Sequence, residues 1–458
     1  MKYQKLALVA AITAAVTGCG GSSSSSKFFA TQDFVSCDNT QTPAVCTLSG
    51  VIDEDYTLTA DKSWRLDGTV LVGSNNVELL TTAAVAEAKA NGVTLTIEPG
   101  VHVRAFGTGE LIVTRGNKIM AEGTAAQPIT FSSFADNDFD GEGEWGGVVV
   151  QGFAPQYGAG DTGICVDAGI CNVAGEGGDA IGYFGGADAS DNSGVMKYVR
   201  IAEGGKVAGP NNEVNGLTLM GVGHGTTLEY IQVHGNLDDG IEWFGGTVNL
   251  KYAVLTNNDD DDLDYDEGYK GNMQHVFIRK HPTKTGPTGT NDPRGIEGNS
   301  DLAKGDQVSA TNAAIANVTI IGSAVSAGQP GMKLRGSLTT DLYNIAVSNF
   351  AAGCLEVKDS ELVDVSVASV ICDTTEYKND DPQSGSIVLT AATIDFDAAA
   401  AVTNAEAATG ETVMTAVDNG SGFSFDATGY IGAVDPDNTN ATRKWWDGWV
   451  IPGSMDGL

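Results

Sequence analysis

The densest chemistry in this chain of 458 residues is carboxylate chemistry. Asp238, Asp239 and Glu242 are followed by Asp259, Asp260, Asp261, Asp262, Asp264, Asp266 and Glu267, with Glu297 further on. Asp239-Gly240-Ile241-Glu242-Trp243 stands 22 residues before Asp261-Asp262-Leu263-Asp264-Tyr265, and Arg294-Gly295-Ile296-Glu297-Gly298 is a later member of the pattern. If each repeat is one turn of a stacked structure, acids recurring in step lie side by side. Such carboxylates repel one another and their pKa values rise. Ca2+ resolves that repulsion, because it takes roughly 6–8 oxygen ligands in loose geometry. The other reading is that the acids alternate in direction and point into water. Ca2+ is the expected cofactor, and the acids just named are its expected ligands.

A second acidic loop, Asp136-Asn137-Asp138-Phe139-Asp140-Gly141, has the D-x-D-x-D-G spacing that sets Asp136, Asp138 and Asp140 on one side of a tight turn. Position 147, where an EF-hand needs its bidentate Glu, is Gly, so only a looser calcium loop is expected. The best catalytic candidate is Arg294, which follows the acidic repeat, with Arg279 and Arg335 in neighbouring repeats. Gly223-His224-Gly225 and the pair Asp238-Asp239 offer a weaker hydrolytic arrangement, because paired carboxylates are cheap among 59 acids. No HExxH occurs.

The elements that position these residues are short β-branched runs. Lys197–Ile201, Glu229–Val233, Lys251–Leu255, Gln274–Ile278, Ala316–Ile320, Tyr343–Val347 and Val363–Val367 each alternate apolar and polar residues, the period of a half-buried strand. Tyr230 and Tyr252 are again 22 residues apart. That period, with Gly, Asn and Asp corners, fits one coil of a parallel β-helix, whereas a propeller blade needs about 40 residues. Stacked coils lie about 4.8 Å apart. The expected fold is all-β, a right-handed parallel β-helix with N- and C-terminal capping segments.

Parallel β-helices include pectate lyases, which combine a Ca2+-binding acidic cluster with an arginine base, so Arg294 would carry such an activity here. Polygalacturonase-type hydrolases place their His after the paired aspartates; here His224 precedes Asp238. Three further stretches, Leu95–Gly100, Leu111–Gly116 and Ile119–Thr124, look like the opening coils of a family of secreted bacterial β-helix proteins. Trp145-Gly146-Gly147, Tyr183–Gly186, Asp191–Val195, Asn215–Leu219 and Asp238–Gly246 continue the resemblance from about Val93 to Ile321. It implies a surface or secreted location and no agreed activity.

The chain start resembles an export signal. Lys2 and Lys5 precede an apolar stretch from Leu6 to Val16, shorter than the roughly 20 residues that span a bilayer. Val16-Thr17-Gly18-Cys19 resembles the bacterial lipobox, in which the cysteine takes the lipid. Gly20, in place of Asp, resembles an outer-membrane sorting signal, and Gly20–Ser26 is a flexible tether. Six cysteines remain, in three local pairs expected as disulfides in an exported chain: Cys37 with Cys46, Cys165 with Cys171, Cys354 with Cys372.

The expected organisation is a signal peptide over 1–18, a lipidated tether over 19–27 and an N-terminal cap over 28–92. The β-helix follows over 93–394 and a C-terminal capping segment over 395–458. A short helix is expected within Val77–Asn91, and weak helical character in Asp395–Asn419. Trp445, Trp446 and Trp449 are expected to pack over the last coil or along the solenoid side. The net charge of −34 argues against nucleic acid as a partner. The expected function is a lipid-anchored, outer-membrane or cell-surface β-helix whose side binds an extracellular glycan, a protein or an outer-membrane receptor. The alternative is a Ca2+-dependent polysaccharide lyase.

Overall fold

A computed structural model describes residues 32–135, 137–156, 169–209, 212–300, 310–358, 364–373, 377–379, 390–391, 396–397, 402–403, 414–435 and 444–455. The expected signal peptide, Cys19, the expected tether, Asp136 and Cys165 lie outside the described residues. No helix among the described residues is long and apolar enough to cross a membrane. One compact unit begins at Phe34.

That unit is a parallel β-helix. Its long strands are Gly194–Ala202, Thr227–His234, Leu250–Thr256, Lys270–Arg279, Asn312–Ile321, Thr339–Ser348 and Asp364–Cys372, each hydrogen-bonded in parallel to the next. A second column of short strands runs in step: Glu110–Val113, Val148–Gln151, Leu217–Met220, Ile241–Phe244, Leu263–Asp266, Ile296–Gly298, Met332–Arg335 and Leu355–Lys358. Register stacks like on like. Val199, Ile231, Ala253, Val276, Val318, Ile345 and Val370 form one buried file, and Leu217, Ile241, Leu263, Ile296, Met332 and Leu355 another.

The long strands are not straight. Each bends at one residue with left-handed backbone: Tyr198, Tyr230, Tyr252, His275, Asn317, Asn344 and Ser369, with φ between 50° and 64°. A left-handed conformation costs a non-glycine residue about 1–2 kcal/mol. Stacking offsets that cost. The Tyr198 and Tyr230 rings lie 4.3 Å apart, Tyr230 and Tyr252 4.5 Å, and Tyr252 and His275 4.8 Å. Such ring pairs contribute roughly 0.5–1.5 kcal/mol each beyond their buried area. Each run read from sequence as one strand therefore turns a corner at its second residue, except Val363–Val367, whose corner falls later, at Ser369.

Parallel pairing starts well before Val93. Ala44–Ile52 pairs in parallel with Lys62–Val72, which pairs in turn with His102–Ala105 and Glu110–Val113. The stretch 28–92 thus contains strands of the solenoid as well as the helix Thr82–Ala90, capped by the Thr81 side chain. Cys37 and Cys46 are bonded across the antiparallel pair Val35–Asp38 and Ala44–Ile52. Cys354 stands just before the short strand Leu355–Lys358 and Cys372 closes the following long strand, so their bond links the two strand columns instead of tying stacked positions. Cys171 is disulfide-bonded.

The described C-terminal residues lie along the side of the solenoid. Trp449 presents a T-shaped contact to both Tyr198 and Tyr230, Trp445 does so to Tyr252, and Trp446 packs on Phe277. Gln232 Nε2 donates to Ser454 Oγ, and Asn317 Nδ2 donates to Thr428 Oγ1. Of Asp395–Asn419 the described parts are two short antiparallel strands and an extended run, without a helix.

Candidate functional site

The short-strand column positions the acids. Its register aligns Thr218, Glu242, Asp264, Glu297, Lys333 and Glu356 along one outward file, because inward positions are taken by the Leu/Ile/Met file described above. The turns before these strands carry Asp238-Asp239 on one coil, Asp260-Asp261 on the next and Asp292 on the one after. Three carboxylate groups result, each with ligand atoms within 4.8 Å of one another: Asp238 with Asp239 and Asp260, Asp239 with Glu242 and Asp264, and Asp260 with Asp261 and Asp292.

Asp239 and Glu242 are buried, and Asp238, Asp260 and Asp264 half-buried. Burial, then mutual repulsion, holds Asp238, Asp239, Glu242 and Asp264 well above the ordinary carboxyl range. Burial and then Asp292 push Asp260 up to about 7. Asp264 Oδ1 is buried without a hydrogen-bond partner. Asn215 donates to Glu242 Oε2 at 2.5 Å, and its own Oδ1 is likewise buried and unpartnered. An all-oxygen set with unsatisfied buried acceptors fits a hard divalent cation. These clusters could hold a metal ion.

The acidic run does not act as one ligand set. Asp262 pairs with Lys280 at 2.8 Å, both side chains fully buried. Asp259 pairs with Lys284 at 2.7 Å, and Lys284 also holds Glu142 at 2.6 Å. Asp266 accepts from Asn299 Nδ2 and from the Glu267 backbone N–H, and neither Asp266 nor Glu267 belongs to a three-carboxylate group. Sequence reasoning missed the two lysines. A signal existed, because Lys280 Nζ reaches Asn258 O across a separation of 22, the coil period itself.

Arg294 is buried and paired with Asp261 at 3.1 Å, with Asp292 and with Glu297. Burial opposes its charge, but Asp261, Glu297 and Asp292 outweigh burial and raise its pKa. These three carboxylates favour its protonated form. Arg335 holds Glu297 at 2.6 Å, and Arg279 Nη2 donates to Ser454 O. Gly223–Gly225 is a turn closed by Thr226 N–H on Gly223 O, and His224 joins none of the carboxylate groups.

Asp138 and Asp140 stand apart from the column. Both are exposed and border a cleft of about 650 Å³ whose walls include Phe139, His281, Lys284 and the tail Ile451–Ser454. The negative charge of Asp138 raises the Asp140 carboxyl.

A family model described as a pectate-lyase like beta helix domain matches residues 50–450. No curated protein matches the chain, and no solved structure does. The match spans most of the chain, which therefore belongs to the pectate-lyase-like β-helix family.

Proposed function

We propose that this pectate-lyase-like β-helix protein is an exported, lipid-anchored surface protein that uses a Ca2+-loaded side face to bind an acidic extracellular glycan without cleaving it. The observation that carries the reading is the group Asp239, Glu242 and Asp264, which joins two coils and keeps the Asp264 Oδ1 acceptor free of protein donors. Asp238 and Asp260 extend it on the same coils. A bound Ca2+ would neutralise these acids and offer open coordination positions to a carboxylate of the glycan. Further along the same column, Lys333, Arg335 and Lys358 add positive charge in register. The anchoring part of the reading rests on Val16–Cys19 and the Ser-rich tether.

The position of Arg294 supports binding without cleavage. A lyase needs a base beside the metal in an open cleft, and Arg294 is buried among three carboxylates. The test is sedimentation of the protein with insoluble uronate polysaccharides in Ca2+ and in chelator, with the supernatant assayed for unsaturated uronide ends. Retention that needs Ca2+ and leaves the polysaccharide intact is expected. Equal retention in chelator would remove the metal from the reading, and unsaturated ends would replace binding with lyase activity.

A further inference from the structure

The cleft beside Asp138 and Asp140 shares no lining residue with any of the three carboxylate groups. Distant parts of the chain build it: the Asp138–Glu142 loop, residues that end or follow three long strands, and the tail Ile451–Ser454. The loop is tied down, because His234 bonds Thr256 Oγ1 at 2.7 Å and the Phe139 backbone. Its volume of about 650 Å³ lies within the roughly 300–1,000 Å³ typical of small-molecule sites.

The charges of the lining select the ligand. Its ammonium, Lys284, is already neutralised by Glu142 at 2.6 Å and Asp259 at 2.7 Å, so nothing there invites an anion. His281 Nδ1 accepts the Lys284 backbone N–H at 3.0 Å, which puts the imidazole proton on Nε2 as a neutral donor. Asp138 and Asp140 remain as adjacent exposed carboxylates at the rim. Among the described residues they join no three-donor group, and the cleft beside them has room for an organic cation. Half-buried Phe139 and exposed Pro452 supply apolar surface for the C–H face of a sugar ring.

We propose that this cleft binds a hexosamine unit carrying a free ammonium group, separately from the acidic column. The ammonium donates to Asp138 and Asp140, His281 Nε2–H donates to a ring hydroxyl, and Phe139 packs on the ring. Charge-assisted hydrogen bonds of this kind are about twice as strong as neutral ones.

The test is titration of the whole chain, in chelator, with glucosamine, N-acetylglucosamine, glucose and ethanolamine, followed by calorimetry or ligand-observed NMR. Glucosamine is expected to saturate, and the other three to bind about tenfold or more weakly. The double variant Asp138→Asn with Asp140→Asn should lose the same factor with unchanged thermal unfolding. His281→Ala should weaken glucosamine but leave its preference over glucose. The double variant Asp239→Asn with Asp264→Asn should bind glucosamine as the parent does, whatever becomes of Ca2+ binding. Absence of saturation, equal binding of the acetylated sugar or of ethanolamine, or loss in the Asp239/Asp264 variant would each overturn the proposal.

Discussion

Lys280 Nζ sits 2.8 Å from Asp262 Oδ2, and neither side chain touches solvent. The lysine comes from the end of one long strand and the aspartate from the turn before a short strand, so the pair joins coils at the edge of the acidic column. Burial pushes the Asp262 carboxyl up to about 6 against the pull of Lys280. Removing one partner leaves the other charge buried and unpaired, which costs about 3–5 kcal/mol. Lys280→Met should therefore lower the denaturation midpoint sharply, and Lys280→Met with Asp262→Leu should recover most of the loss. Urea denaturation of both variants checks this; a double variant no better than the single one would show that the pair does more than cancel charge.

Cation loading should appear as stability. Ligand that binds only the folded state adds about 2.7 kcal/mol at a hundredfold excess over Kd. Thermal unfolding in Ca2+, Mg2+ and chelator at fixed ionic strength should give the highest midpoint in Ca2+. Asp239→Asn with Asp264→Asn should abolish the difference and raise the midpoint in chelator, since two mutually repelling acids are gone. Identical parent midpoints in all three solutions would reduce the column to a charged surface.

The pH dependence has a definite sign. Asp191, buried, is pushed up to about 6 by burial, against an ordinary value of 3.8. Between those values the folded chain keeps a proton that the unfolded chain has lost, so stability falls as pH rises. Asp260, at about 7, continues the fall, and Asp238, Asp239, Glu242 and Asp264, also pushed up by burial, act in the same direction. His102, His234 and His275 act in the opposite sense, because burial pushes each down from 6.5 to about 4. Their stabilisation is lost as pH drops from 6.5 towards 4. Above 6.5 the histidines add no further pH dependence, so in chelator the midpoint should decline from there towards the alkaline side. The slope is about 1.4 kcal/mol per pH unit for each fully displaced group. A midpoint that rises over that range would contradict the burial of these acids.

Cys19→Ser should release the protein from membranes if the lipobox reading holds. Metabolic labelling with fatty acid followed by fractionation checks it. Label retained in the variant would show that Cys19 is not the lipidated residue.

The coil period was legible because Asp239 and Asp261 stand in the stacked turns themselves and the inward Leu/Ile files repeat with them. The corner at Tyr198, Tyr230 and Tyr252 was not, since nothing about a tyrosine announces a left-handed backbone. Asn317 and Asn344, which tolerate that conformation best, were the available hint. Grouping of the acids followed from register, whereas their partition did not. Which carboxylates face each other and which face Lys280, Lys284 or Arg294 depends on side-chain directions across coils. The early start of parallel pairing at Ala44 was obscured because Ala44 and its partner Lys62 stand 18 residues apart, short of the 22-residue period of the later coils.

The tail packed along the solenoid changes how the molecule comes apart. A stack whose units touch only their neighbours frays from its ends, one rung at a time. Here Trp449 touches Tyr198 and Tyr230, Trp445 touches Tyr252, Trp446 touches Phe277, and Thr428 is bonded to Asn317. Five successive rungs are lashed to the same strap, so loosening any one of them loosens a contact shared with the others. Hydrogen exchange in these rungs should report a single opening event rather than a gradient, which makes the middle of this solenoid behave like a globular domain.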